Sequence, residues 1–125
     1  MPGPFLIYAA QETATRRQPS LFEHDPVHWP NTEPILTDFL TRLAAINKDP
    51  ATNGQFEILA DDNHFQAYWR SNQRSLAGFF NVRGASATMS VDLPDGTYIN
   101  LLDDQPVRAL EGNLDLPQEP VIVAI

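Results

Sequence analysis

The chain has 125 residues and a mass of 14.0 kDa, a size that suits one domain with a packed core. Sixteen acidic against eight basic residues give a formal charge of −8, so most of the surface would repel the phosphate backbone of a nucleic acid. The absence of cysteine excludes disulfides, thiolate metal sites and a cysteine nucleophile.

The first fifty residues predict one strand, one loop and one helix. Residues 5–10 form a continuous apolar run, which is typical of a strand covered on both faces. The run is too short to span a membrane and no basic region precedes it, so neither a signal peptide nor a membrane partner is indicated. Prolines exclude a regular element in residues 19–34. Thr32 then predicts the N-cap of a helix ending near Lys48, whose apolar stripe comprises Ile35, Leu36, Phe39, Leu40, Leu43 and Ala44.

From Gly54 onward the hydrophobic period shortens to two residues, as in β-strands. The 11 prolines and 6 glycines of the chain predict frequent turns, and acidic clusters mark two of them. Seven or eight short strands are therefore predicted, at 55–59, 64–70, 75–82, 87–93, 97–102, 106–110, 113–116 and 120–125. This spacing predicts an antiparallel β-sandwich over residues 51–125, after a separate segment of residues 1–50.

Alternation along the second of these strands predicts which side chains share a face. Phe65, Ala67 and Trp69 are expected on the inner face, and Tyr68 is expected on the outer face. Phe79 and Leu101 are predicted to lie in the core of the sandwich, where truncation to alanine would be costly.

Four segments, taken in order, resemble the end of alpha-amylase family glycoside hydrolases. The stretch with Gly3, Tyr8 and Glu12 is similar to the last barrel strand of that family, and residues 19–29 are similar to the loop after it. Residues 43–46 are similar to the final barrel helix. Residues 93–102 and 120–125 are similar to the C-terminal sandwich. The resemblance covers nearly the whole chain. It implies a mainly β chain, with an antiparallel sandwich of the amylase C-terminal type preceded by a strand-loop-helix remnant of a (β/α)8 barrel.

The resemblance also implies that the catalytic carboxylates lie on earlier barrel strands and not in this chain. Retaining hydrolysis needs two carboxyl groups about 5 Å apart across a sugar-filled cleft, which one strand, one loop and one helix cannot build. We therefore predict no catalytic residue, no cofactor and no metal site. The predicted function is that of an accessory domain that stabilises the barrel of a parent enzyme, and this barrel is the expected partner.

Two other hypotheses remain open. An independent carbohydrate-binding module for alpha-glucans would use exposed aromatic residues, of which Tyr68 is the main candidate. A small self-sufficient hydrolase is the other. Self-association through the N-terminal strand and helix is also expected, because an open strand and an apolar helical stripe need to be covered.

Several polar residues resemble site residues without forming a convincing site. His24, Asp25 and His28 are metal-ligand types, but Pro26 between them disfavours a helix that presents both rings on one side. Glu12 is interpreted as a free carboxylate. The pairs Asp61–Asp62 and Asp103–Asp104 are interpreted as turn formers, since calcium requires a ring of further oxygen ligands.

Overall fold

A computed structural model of the chain describes Ala14, Ser20, Phe22, His24 and residues 34–83 and 87–125. The predicted strand at residues 5–10 and most of the loop after it lie outside these described residues. The chain divides into two compact units, Met1–Ala44 and Ala45–Ile125. Among the described residues, no helix has the length and hydropathy to cross a membrane.

Helix α1 spans Pro34–Asn47, so its predicted end near Lys48 is confirmed. It ends because the N–H groups of Lys48 and Asp49 turn back to the carbonyls of Ala45 and Ile46, after which Pro50 cannot continue the helix. Of the predicted stripe, Leu36, Phe39, Leu40 and Leu43 are half-buried, whereas Ile35 and Ala44 are exposed. A 3₁₀ helix at Pro50–Asn53 follows.

Eight strands follow in the described residues, which confirms the predicted sandwich. They are β1 Gln55–Ala60, β2 His64–Arg70, β3 Ser75–Asn81, β4 Ala87–Ser90, β5 Gly96–Ile99, β6 Pro106–Leu110, β7 Asn113–Leu116 and β8 Val121–Ala124. Sheet A has the order β1-β2-β3-β8 and sheet B the order β4-β7-β6-β5. All the pairings are antiparallel.

The core lies between the two sheets. Tyr68 and Phe79 are its largest side chains, and their rings meet edge to face at 6.0 Å between centroids. The other buried members are Ala77, Val121 and Val123 from sheet A, Met89, Ala109, Leu114 and Leu116 from sheet B, and Val91 and Leu93 after β4. Phe79 is thus a core residue as predicted.

The prediction that Leu101 is a core residue is wrong. Leu101 is half-buried, and its neighbour Leu102 is buried instead. The predicted strand 97–102 stops at Ile99, and residues 101–103 form a turn, so the two-residue alternation no longer decides which side chain points inward.

Candidate functional site

The outer face of sheet A, which points away from sheet B, carries no charged residue. The register places its side chains in three cross-strand rows: Phe56, Trp69, Leu76 and Ala124; Ile58, Ala67, Gly78 and Ile122; and Ala60, Phe65 and Phe80. We call these eleven positions the outer apolar face. The strands β3 and β8 also line the core with Ala77, Phe79, Val121 and Val123, so these two strands carry apolar side chains on both sides. A sheet of this kind is typically a middle layer with a partner on each face.

The outer face of sheet B is mixed and carries charged residues. Thr88, Thr97, Arg108 and Asp115 are exposed there beside Ile99 and Leu110, and the Thr88 hydroxyl lies 3.0 Å from a carboxylate oxygen of Asp115. Polar residues on one face and apolar residues on the other are usual for an antiparallel sheet with a solvated side. The contrast between the sheets therefore identifies the outer apolar face of sheet A as the candidate functional surface.

Two aromatic pairs organise this surface. The rings of Phe56 and Trp69 lie 5.1 Å apart, and those of Phe65 and Phe80 lie 5.4 Å apart. Gly78 makes room between them, because a Cβ there would lie 2.8 Å from Phe80 and 3.5 Å from Trp69. Such a fixed arrangement of rings suits a packed contact.

Burial varies across the outer apolar face. Ala67, Leu76 and Ile122 in its centre are almost fully buried within the chain. All four aromatic rings are only half-buried, and Ile58 on the edge strand β1 is 41% exposed. The margin along β1 therefore retains apolar surface that a further partner could cover.

Tyr68 and Trp69 lie on the faces opposite to those predicted. Tyr68 is 1% exposed and points into the core, whereas Trp69 is half-buried on the outer apolar face. The prediction that Phe65, Ala67 and Trp69 share a face is confirmed, but that face is the outer one. The proposed sugar-stacking role of Tyr68 is lost, since its ring is buried and the Arg70 guanidinium lies 4.8 Å from the ring centroid.

The Tyr68 hydroxyl links the two sheets. It donates to the Gln66 side-chain oxygen at 2.8 Å and accepts from the Asp92 backbone N–H at 3.2 Å. Arg70 spans the same edge and pairs with the Asp92 carboxylate at 2.9 Å. Burial raises the pKa of Tyr68 above its usual value of 10.0, so this group stays protonated and acts as a structural bridge.

Acidic pairs in the sandwich form turns, as predicted. One carboxylate oxygen of Asp61 accepts the N–H groups of Asn63 and His64, each at 2.7 Å, and Asp103 accepts the N–H of Gln105 at 2.9 Å. The bonds from the Asn63 and His64 N–H groups are the main reason that the pKa of Asp61 lies below its usual 3.8. Within the described ranges, no group of three or more acidic or histidine side chains could hold a metal ion.

The remaining candidates lie in or near the segment that precedes α1. His24 is exposed. Glu12, Asp25 and His28 lie outside the described residues, as does the strand at 5–10 on which the expected self-association depends, so that association stays a prediction.

Comparison with known proteins agrees with this architecture. The chain matches the structure of an alpha-amylase from Lactobacillus plantarum with a TM-score of 0.81 and 23% identity, covering 95% of this chain and 29% of that one. A maltogenic alpha-amylase from Thermotoga neapolitana gives a TM-score of 0.75 and 16% identity over 95% of this chain and 32% of that one. An alpha-amylase from Anoxybacillus gives 0.59 and 21%, covering 81% and 26% of the two chains.

The chain therefore spans about a third or less of the length of these solved amylases. No curated protein matches its sequence. The model of the bacterial alpha amylase C-terminal domain matches residues 56–123, from the first residues of β1 to the end of β8. This match covers more than half of the chain, and the chain belongs to the bacterial alpha-amylase C-terminal domain family.

Proposed function

We propose that this chain is a non-catalytic C-terminal domain of an alpha-amylase-like glycoside hydrolase, and that it stabilises the catalytic barrel of that enzyme. The observation that carries the proposal is the outer apolar face of sheet A. A sandwich that functions alone in water has little use for a sheet with eleven uncharged positions on its outer side. A domain that packs against a larger body needs such a face.

The lengths of the matched amylases support the barrel as the occupant of this face. The solved amylases contain two thirds or more of their sequence outside the matched region. Completing the burial of the half-exposed aromatic rings and Ile58 against such a body would contribute about 1 kcal/mol per side chain, since full burial of a large apolar side chain is worth about 1.5–3 kcal/mol. A contact of this kind would raise the unfolding temperature of the barrel as well as that of the sandwich.

The carboxylates of the sandwich support a non-catalytic domain. Asp61 and Asp103 bind backbone N–H groups in their own turns, and Asp95 accepts the N–H of Glu111 at 2.7 Å. Asp92 pairs with Arg70. Each of these four carboxylates thus has a structural partner within the sandwich.

Two experiments test the proposal. The purified chain should release no reducing sugar from starch or maltooligosaccharides, and activity that survives repurification would overturn the non-catalytic assignment. For stabilisation, the chain replaces the matched region of the L. plantarum amylase, which is 29% of that protein. The hybrid should resist thermal inactivation longer than the same amylase truncated before β1. Equal inactivation rates would overturn the stabilising function.

The alternative, an independent carbohydrate-binding module, has lost its main support. It depended on an outward Tyr68, which is buried. Calorimetric titration with maltoheptaose should therefore give no heat of binding beyond dilution.

A further inference from the structure

The connection between α1 and β1 is a folded structure with defined contacts. The compact unit Ala45–Ile125 includes the last turn of α1, the 3₁₀ helix and the sandwich. The hydroxyl of Thr52 donates to the carbonyls of Asn47 at 3.2 Å and Asp49 at 2.7 Å, and the Gly54 N–H donates to Ala51 at 2.9 Å. We call Asn47–Gly54 the joint.

One carboxylate holds the joint to the sandwich. An oxygen of Asp49 accepts the backbone N–H of Ala51 at 2.9 Å, and its other oxygen pairs with Arg74 Nε at 3.0 Å. The Asp49 side chain is 14% exposed and the Arg74 side chain 46%, so the carboxylate is shielded from solvent while the guanidinium is partly open to it. The same side chain therefore caps the 3₁₀ helix and binds the β2–β3 turn.

The backbone of Arg74, the partner of Asp49, is fixed by its own turn. Arg74 closes the turn between β2 and β3, where the Ser71 hydroxyl donates to the Arg74 carbonyl at 2.7 Å and accepts the Arg74 N–H at 3.2 Å. The Ser71 N–H also donates to that carbonyl at 3.1 Å. A fixed turn lowers the entropy lost when the guanidinium is held in one orientation.

Steric contacts restrict the rest of the joint. Ala51 is fully buried, and the 3₁₀ helix lies beside β2 and β3. At Gly54 the chain passes so close to the end of β2 that an added Cβ would lie 2.1 Å from the Arg70 carbonyl oxygen. A linker between independent domains usually makes few contacts. This joint has exposed residues, but it buries Ala51 and contacts β2 and β3.

We propose that the joint is a conformational lock, in which the Asp49–Arg74 pair fixes the joint against the β2–β3 turn. The proposal deepens the proposed function, on which its purpose rests: a domain that stabilises a neighbouring body benefits from a rigid connecting segment. An open pair would free the joint while the core of the sandwich stayed folded.

Two variants and a matched control test the lock in the chain itself. Asp49→Asn keeps an oxygen for the Ala51 N–H but removes the charge that pairs with Arg74, and Arg74→Met removes the guanidinium while keeping an apolar stem. Arg108→Met makes the same charge change at an exposed position on sheet B. Both joint variants should accelerate amide exchange of Ala51, Thr52 and Gly54 by about tenfold or more, and the control should not.

A distance measurement supplies the second readout. The chain lacks cysteine, so Lys48→Cys and Thr97→Cys introduce two unique sites for spin labels at exposed positions. The interspin distance distribution should be single and narrow with the pair intact, and broader in Arg74→Met and Asp49→Asn. The Arg108→Met control should keep the narrow distribution.

Three results would overturn the lock. The first is a broad distance distribution with the pair intact, and the second is unchanged amide exchange and unchanged distribution width in both joint variants. The third is equal acceleration of the amides of the buried strand residues Leu76 and Ile122, which would make the pair a general stabiliser. The exchange and distance measurements use the isolated chain without a barrel, so they can contradict the lock while the hybrid amylase is still stabilised. Conversely, a hybrid without added stability would leave an intact lock unaffected.

Discussion

The hydroxyl of Tyr68 accepts the backbone N–H of Asp92 across 3.2 Å, and this bond joins β2 of sheet A to the segment that follows β4 of sheet B. The same hydroxyl donates to Gln66, whose amide group in turn donates to the carbonyl of Ser90 at 3.0 Å. These hydrogen bonds connect the two sheets at one edge of the apolar core.

Removal of this hydroxyl should destabilise the chain without changing its core volume. We expect Tyr68→Phe to lower the free energy of unfolding by about 1–2 kcal/mol, because two part-buried groups lose their partner. Tyr68→Ala should cost about 3–5 kcal/mol, since it also leaves a cavity. Tyr98→Phe is the control, because the Tyr98 hydroxyl makes an exposed bond to Pro94. Urea unfolding measures all three, and a larger loss for Tyr98→Phe would contradict the assignment.

The side chain of Asn100 should be the most sensitive polar group of the sandwich. It is 1% exposed, accepts the N–H groups of Ile122 at 2.9 Å and Leu102 at 3.3 Å, and donates to the Pro120 carbonyl at 3.2 Å. Asn100→Ala should cost about 2–4 kcal/mol, because several buried groups lose their partner together. Asn113→Ala, which removes one exposed bond, should cost much less. Similar urea midpoints for the two variants would show that the Asn100 side chain does not stabilise the backbone at the start of β8.

Two glycines should differ in their tolerance of a methyl group. At Gly78 an added Cβ meets the Phe80 ring, which can shift, so Gly78→Ala should cost about 1–3 kcal/mol. At Gly54 it meets backbone, so Gly54→Ala should cost more, because the joint itself must move. Gly96→Ala, where an added Cβ would lie 3.8 Å from the Tyr98 ring, should stay within about 0.5 kcal/mol. Thermal unfolding that ranks Gly78→Ala above Gly54→Ala would contradict the described path of the joint.

The turn at Asp61 should make the chain sensitive to acid. Because backbone N–H groups lower the pKa of Asp61 below 3.8, the folded state favours the carboxylate. The resulting stability is present above about pH 4 and is lost as pH falls through the folded pKa. Asp61→Asn keeps an acceptor oxygen but does not titrate. Its unfolding temperature should fall below that of the parent chain near pH 5.5, and the gap should shrink toward about pH 2.5. A gap that is constant over this range would be the contrary result.

Most of the architecture could be predicted from the sequence, because turn residues and two-residue alternation locate strands well. The orientation of β2 could not. Alternation shows that Phe65, Ala67 and Trp69 share a face, but in β2 this more apolar face is the outer one. The inner face carries Tyr68 between the polar side chains of Gln66 and Arg70, so the apolar pattern of β2 does not say which face meets sheet B. The sequence does contain a sign that sheet A is covered on both sides. Leu76–Phe80 and Val121–Ile125 are continuous apolar stretches, and such runs are typical of strands covered on both faces.

The joint was less accessible to sequence reasoning. Asp49 before Pro50 predicts the end of a helix, but the pairing with Arg74 joins residues 25 positions apart in the sequence. Only the register of β1, β2 and β3 brings the β2–β3 turn beside the joint. No local pattern encodes that proximity.

The measurement that tests the proposed function most directly is thermal inactivation of the hybrid amylase with one substitution on each sheet. Trp69→Gln places an amide on the outer apolar face, and Thr97→Gln changes the exposed face of sheet B. We predict that Trp69→Gln shortens the half-life of amylase activity toward that of the truncated enzyme, while Thr97→Gln leaves it unchanged. The isolated chain carrying Trp69→Gln must remain folded by circular dichroism for the comparison. Equal half-lives for the two variants would contradict a barrel-stabilising function of the outer apolar face.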